Sequence, residues 1–504
     1  MNRNLYDALL GQCHQDSTLI KENGGSAITY GEFIAEISRL GGALIEAGLQ
    51  PGDRVAVQVE KSVRALALYL ATVKAGGIFL PLNTAYTPAE IEYFLTDAEP
   101  VIFICDPSKQ AALSPIAAQV NAKILTLDGN GDGSLTEASL KASPLVEASS
   151  RGGKDVAAIL YTSGTTGRSK GAMLSHNNLL SNALTLVDYW RFSSPDTLIH
   201  ALPIFHTHGL FVATNVVLAS GASMIFQQRF DPAQILQSMP DATVLMGVPT
   251  FYTRLLQSDG LTREATQHMR LFVSGSAPLL AETHREWEER TGHAILERYG
   301  MTETNMNTSN PYHGRRIAGT VGYPLPGVEI RVTNPETGAL LASGEIGMIE
   351  VRGPNVFQGY WRMPEKTAAE LRTDGFFITG DLGRVDQDGY VHIVGRGKDL
   401  IITGGYNVYP KELESEIDAL DGVHESAAVG VPHPDFGEGI VAVVVREPGA
   451  SIAESDILEA LTQRLASYKR PKKLIFLEEL PRNTMGKVQK NVLREQYKDS
   501  FRIE

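Results

Sequence analysis

The stretch that most limits what this chain can fold into is DVAAILYTSGTTGRSKG, residues 155–171. An apolar run of strand character, DVAAILYT, enters a loop of glycines, serines and threonines. Beyond it, HNNLLSNALTLVDYW (176–190) carries apolar residues at helical spacing. Strand, glycine-rich loop and helix in that order require an α/β layer, because the helix must pack back on the sheet to bury its apolar stripe. The loop also implies a ligand. Gly164, Gly167 and Gly171 allow tight turns and bare amides, Thr162, Ser163, Thr165 and Thr166 add hydroxyls, and Arg168 and Lys170 add charge. Such a nest suits polyphosphate oxygens. It is not a Walker A loop, since the place for that motif's second glycine is taken by Ser169.

The same alternation marks the earlier chain. DRVAVQVE (53–60) reads as a buried strand, KSVRALALYLATVKAGG (61–77) as an amphipathic helix ending in a glycine pair, and IFLPLN (78–83) as another strand. Sheets with largely parallel strands follow from that order. From about Gly319 the texture changes to short strand-like pieces, VEIRV, GMIEVRG and GYVHIVGRG, parted by turn residues. After GRGKDLI (395–401) comes a compact, charged α+β stretch. The expected fold is therefore α/β. A large domain over 1–396 holds two layered α/β subdomains and a small β-rich one, and a small mobile α+β domain covers 397–504. Residues 129–153 read as a polar connector.

Composition narrows the function classes. The 504 residues are 43% hydrophobic and 20% charged, enough core for several packed units. A formal net charge of −13 opposes a nucleic-acid surface, so phosphate ligands need a discrete pocket. No apolar run reaches a membrane span, and the start shows no secretory signal. With only Cys13 and Cys105, neither a disulfide framework nor a cysteine zinc site is expected, and a cytoplasmic location fits.

Four more motifs follow the loop: YGMTET (299–304), TGDL (379–382), GRGKDLI (395–401) and PRNTMGKVQK (481–490). In this order, and over essentially the whole chain, the sequence resembles the adenylate-forming superfamily of acyl-CoA synthetases, luciferases and peptide-synthetase adenylation domains. The resemblance implies two steps. A carboxylate attacks the α-phosphate of ATP, giving an acyl-adenylate and diphosphate, and the thiol of CoA then displaces AMP. It implies that Thr162, Ser163, Gly164, Thr165, Thr166, Gly167 and Lys170 hold phosphates. Gly275, Ser276, Ala277 and Pro278, with Tyr299, Gly300 and Met301, would border the adenine. Asp381 and Arg396 would meet the ribose, Glu303 beside Thr302 would carry Mg2+, and Lys487 would reach the α-phosphate and the acyl carboxylate. Lys398 takes the hinge position, and Gly404, Gly405 and Tyr406 would admit the CoA arm. A lysine acetyltransferase and deacetylase acting on Lys487 are further partners that the resemblance suggests.

The acid is indicated by a departure. Many relatives have a small residue before YGxTE; here it is Arg298. A buried guanidinium needs an anion, and a second carboxylate on the substrate would supply one, unless Glu297 or another acid pairs with it internally. With HTHG and ERYGMTETNMN, the chain is similar to malonate-activating synthetases, which places His206, Thr207 and Met306 beside the acyl group and makes methylmalonate a slower substrate. Two alternatives stay open: a synthetase for another short or medium-chain acid, and a free-standing enzyme that loads a carrier protein.

Overall fold

The structure, a computed structural model, describes residues 3–11, 13–21, 27–162, 169–403, 406–465, 467–483 and 486–502, the side chain of Asn407 excepted. Among these residues four sheets form. Five parallel strands of the first run, in spatial order, Lys123–Thr126, Ile102–Cys105, Arg54–Gln58, Ile78–Pro81 and Val156–Thr162, with Lys170–Ser175 antiparallel at the edge. The second has a parallel centre of Thr18–Lys21, Ser223–Phe226, Thr197–His200, Val244–Gly247, Leu271–Ser274 and Leu296–Met301. A four-stranded antiparallel sheet spans Glu329–Thr333 to Val391–Arg396, and the last sheet lies wholly beyond residue 400. These are the mixed α/β layers that the alternating patterns require.

Helix Val63–Lys74 lies within the largest core. It was expected to be amphipathic, yet every residue from Ala65 to Lys74 is buried. Neighbours on all sides explain this: a helix apolar all round belongs inside. Of its two cations, Arg64 at the first turn pairs with Glu36 at 2.5 Å, while Lys74 reaches Ser38 Oγ at 2.8 Å and sits over the Tyr6 ring. The connector 129–153 likewise contains a helix, Ser134–Ser139, anchored by buried Leu135. Beyond residue 400 the sheet carries separate apolar clusters, one centred on Leu413, Ile417 and Leu461 and another on Val429, Val443 and Leu493.

The glycine-rich loop also differs from expectation in its exit. It joins Val156–Thr162 to an unpredicted antiparallel strand, Lys170–Ser175, before helix His176–Tyr189 begins. Ser175 caps that helix: its Oγ accepts from Asn178 N at 3.2 Å, while Asn178 Oδ1 accepts from Ser175 N at 2.9 Å. Asn178 then donates from Nδ2 to the carbonyls of Pro354 and Val356, at 2.7 and 2.8 Å. The helix start thus holds the segment that follows residue 354 against the loop's exit strand.

Candidate active site

Four neighbouring parallel strands end on one edge: Thr197–His200, Val244–Gly247, Leu271–Ser274 and Leu296–Met301. Their carboxyl ends deliver residues 206–208, 250–252, 275–278 and 298–303, and such ends are where open α/β sheets bind ligands. His206 and Thr302 line a small cavity there with Tyr161 and Phe205. A larger cavity of about 250 Å³ shares Phe205 and Pro81 with it, and Lys61 and Arg229 are among its lining residues.

The antiparallel register sets Asp381 directly opposite Arg396. Arg396 Nε lies 2.8 Å from Asp381 Oδ1, and Tyr299 donates its hydroxyl to Oδ2 at 2.5 Å. Asp381 raises the Arg396 pKa, and burial raises that of Tyr299 well above the usual phenol value. The result is a buried carboxylate held on both oxygens. Sequence reasoning placed Tyr299 by its backbone and missed this hydroxyl.

Glu303 sits in the turn between Leu296–Met301 and Asn305–Ser309, buried at 5% exposure, beside half-buried Thr302. Its Oε1 accepts from the Tyr360 hydroxyl at 3.0 Å, and burial raises its pKa. Among the described residues no three His, Cys, Asp or Glu side chains converge as a metal cage. A lone hard carboxylate fits Mg2+ that arrives with its other oxygens supplied by ATP and water.

Lys487 arrives from the far domain. The built position of a Cβ on Gly486 would lie 3.3 Å from Thr250 Cγ2, so the loop docks on the edge just described. The lysine keeps solvent contact along its chain. Enclosure lowers its pKa first, with Arg396 and Arg298 adding repulsion and Asp381 and Glu303 opposing them. His206 faces the same charge: burial and Lys487 lower its pKa to about 4, so its ring is neutral at neutral pH.

Arg298 is 3% exposed, and neither Nε nor Nη2 has a hydrogen-bond partner. Burial lowers its pKa to about 9. Glu297 does not serve it, accepting instead from Gly319 N at 3.2 Å and lying 3.3 Å from His284 Nδ1. Unpartnered too are Thr207 Oγ1, Ser274 Oγ and Nε2 of His208, whose pKa Arg298 helps to lower after burial. Ser276, at a left-handed φ of 73°, brings Oγ to 3.3 Å from His208 Nδ1. Gly275 has a steric role that its motif does not reveal: a Cβ there would stand 2.4 Å from Arg298 Cζ. A Cβ on Gly300 would collide with Met306 Cε at 2.6 Å, and Met306 is itself buried. Ala277 is half-buried and Pro278 exposed beyond them, and Met301 is half-buried at its strand's end.

Other expected residues fall elsewhere. Ser163, Gly164, Thr165, Thr166, Gly167, Gly404 and Gly405 lie outside the described residues. Thr162 Oγ1 is buried without a partner. Lys170 is buried and engaged, 3.3 Å from Glu370 Oε2 and 3.1 Å from the Tyr360 hydroxyl. Tyr406 is 57% exposed and stacks on Tyr468 at 4.6 Å. Lys398 is exposed in a short turn, next to Asp399, which pairs with Arg494 of the last helix. Tyr360, Glu370 and His208 were not singled out from sequence; Tyr360 is revealed by Glu303 and Lys170, far along the chain.

This geometry has counterparts. The family model described as AMP-binding enzyme matches residues 10–361, and the AMP-binding enzyme C-terminal domain matches 412–487. The chain is 35% identical over 480 residues to a malonate–CoA ligase of Arabidopsis thaliana, covering 89% of this chain and 78% of that protein. The crystal structure of ATP-bound MatB from Rhodopseudomonas palustris is 65% identical over 100% of both chains, with a TM-score of 0.98. The apo form of that MatB, at the same 65% identity and full coverage of both chains, gives 0.87. The chain belongs to the AMP-binding enzyme family, as an AMP-forming acid–CoA ligase.

Proposed function

We propose that the chain is an ATP-dependent malonyl-CoA synthetase, converting malonate, ATP and CoA to malonyl-CoA, AMP and diphosphate through a malonyl-adenylate. The observation that carries the choice of acid is Arg298, a buried guanidinium with two unpartnered nitrogens. Burying such a charge is costly unless an anion meets it, and a planar carboxylate matches its fork. Malonate offers one carboxylate to Arg298 and the other to the phosphate. The malonate–CoA ligase and MatB likenesses support the same acid. Methylmalonate fits as a slower substrate, since one methyl changes discrimination by about 1–3 kcal/mol.

Each side chain then has a step. Asp381, held by Arg396 and Tyr299, accepts hydrogen bonds from the ribose hydroxyls. The amides and hydroxyls of 162–167 hold the diphosphate that leaves. Lys487 offsets charge where the reacting carboxylate meets the α-phosphate. Mg2+ bound with ATP and held by Glu303 would supply further positive charge against the phosphate oxygens. His206, neutral, can donate a hydrogen bond without competing for the anion. Thr207 and Met306 bound the acyl pocket, and Thr302 lines the phosphate side.

Withdrawal of Lys487 must precede entry of CoA, and rotation of residues 397–504 about Lys398 provides it. The different TM-scores against ATP-bound and apo MatB, at equal identity, support a molecule with two arrangements. Asp399 is tied to Arg494 of the small domain, which supports a pivot at Lys398. Tyr406 and its two preceding glycines then turn toward the CoA arm. Acetylation of Lys487, which is reachable from solvent, would remove the charge and stop adenylation.

The deciding experiment is CoA-dependent AMP release across acetate, malonate, methylmalonate, succinate and octanoate. Malonate gives the highest kcat/KM, with methylmalonate next. A higher value for acetate or octanoate refutes the dicarboxylate reading.

A further inference from the structure

Residues 357–361 run as a strap between parts of the site that are far apart in sequence. Their backbone pairs with the strand that leaves the glycine-rich loop: Gln358 N donates to Met173 O at 2.9 Å, Met173 N to Gly359 O at 3.0 Å, and Trp361 N to Gly171 O at 2.7 Å. At the strap's start, Phe357 N donates to Glu303 O at 2.8 Å. One strap therefore touches both the loop's exit and the carboxylate assigned to the cation.

Tyr360, 3% exposed, completes the link with its side chain. Its hydroxyl lies 3.0 Å from Glu303 Oε1 and 2.7 Å from Glu370 Oε2, and Lys170 Nζ donates to it at 3.1 Å. A phenol has one proton to give, so two carboxylates compete for it while the lysine fills its acceptor side. Glu370 does not depend on that proton, because Lys170 at 3.3 Å and Lys366 at 2.8 Å offset its charge. Glu303 Oε1 has no comparable cation within ion-pair distance among the described residues. Beside a bond from its own backbone, the carboxylate's direction therefore rests on Tyr360, and Tyr360 rests on Lys170.

We propose that Tyr360 is a positioning residue, through which Lys170 and Glu370 hold the Glu303 carboxylate in register with the phosphate loop. This rests on the reading of Glu303 as the cation's carboxylate. It also gives Lys170 a different task from direct phosphate contact: the lysine anchors the loop's exit to the strap.

The test uses the full chain and reads ATP binding by calorimetry, once with Mg2+ and once in EDTA. Tyr360→Phe keeps the ring and removes the hydroxyl. It should weaken binding of Mg2+–ATP about tenfold, as expected for one hydrogen bond to a charged group, and leave binding in EDTA unchanged. The Mg2+ concentration that half-saturates diphosphate release should rise by a similar factor. Equal change in the two affinities, or none in either, overturns the proposal, because a merely structural tyrosine would not separate them. If Tyr360→Phe does not fold, Lys170→Met, which removes the donor on the hydroxyl's acceptor side, carries the same test with a smaller shift of the same sign. Glu303→Gln measured alongside distinguishes the failures. If it loses the Mg2+ advantage and Tyr360→Phe does not, only the strap is refuted; if it keeps that advantage, the reading of Glu303 falls.

Discussion

Tyr299 and Arg298 are neighbours on one strand, and because side chains alternate across a strand they serve opposite sides of the cleft. On Tyr299's side the carboxylate is partnered: Asp381 is held by Arg396 and by the tyrosine hydroxyl before any ligand arrives. On Arg298's side the groups are left open, with Arg298, Thr207, Ser274 and His208 each carrying a buried unpartnered atom. On the proposed reading, the partnered side presents a fixed geometry for the nucleotide, which is the same in every turnover. The open side stores an unmet need that one class of acid can meet. Preorganisation and specificity are built in opposite ways within a few ångströms.

The largest effect should come from the group that spans both sides. Lys487→Ala should cut malonyl-adenylate formation by about 10³-fold or more, the scale for removing a charge aimed at the reacting phosphoryl group. Thioester formation from preformed malonyl-adenylate should stay nearly intact. Diphosphate release and single-turnover thioesterification check the two halves, and an equal loss in both would break the assignment.

Next is Arg298→Met, which separates the two sides directly. kcat/KM for malonate should fall about 10²-fold, for the loss of a charge-assisted pair of hydrogen bonds, while ATP affinity is unchanged. The same substitution should raise the melting temperature of the ligand-free protein, because it replaces an uncompensated buried charge with an apolar side chain of similar length. A lower melting temperature would mean that the guanidinium has a partner after all, and the contrast between the two sides would collapse.

Gly275→Ala sharpens the comparison at smaller scale. A Cβ at this position meets Arg298 at Cζ, Nε and Nη1, all within 2.6 Å, so the guanidinium must move. About tenfold of the malonate preference over acetate should be lost, in keeping with the sensitivity of such sites to displacements of about 1 Å. Measuring both acids decides it; parallel losses would place the glycine on the nucleotide side alone.

What the sequence made legible follows the same division. Asp381, Arg396, Glu303 and Lys487 sit in motifs, and Arg298 stood out because a cation in an acyl pocket needs an explanation. The strands and helices of the first layer followed from periodicity. The antiparallel strand Lys170–Ser175 did not, because it is short and runs straight into the helix, with no turn residues to mark it. Nor did Tyr360: Glu303 and Lys170 lie 57 and 190 residues away, and Glu370, 10 residues on, shares no strand or helix with it. Gly275 was legible as a loop glycine, but its closeness to Arg298 depends on two adjacent strands being parallel and in one register.

The smallest effect concerns how Lys487 is held. Its loop is a short turn in which Asn483 Oδ1 accepts from Lys487 N at 2.9 Å and Asn483 N donates to Lys487 O at 2.9 Å. Both stems are clipped to the small domain: Arg482 pairs with Glu425, and Lys490 lies 2.5 Å from Glu414 Oε1. Arg482 also donates from Nη1 to Gly486 O at 2.6 Å, closing the turn. Arg482→Gln breaks one clip and leaves the other. Since the pair is partly exposed, its loss should weaken positioning only modestly, by about three- to fivefold in adenylation. Thioesterification should not change, because on the proposed rotation the lysine is withdrawn in that step. Glu425→Arg combined with Arg482→Glu should restore part of the rate by re-forming the pair with its charges exchanged, the bond to Gly486 O staying lost. A loss shared by both half-reactions, without rescue, would show that the clips support the small domain's fold and not the lysine that bridges the two sides of the cleft.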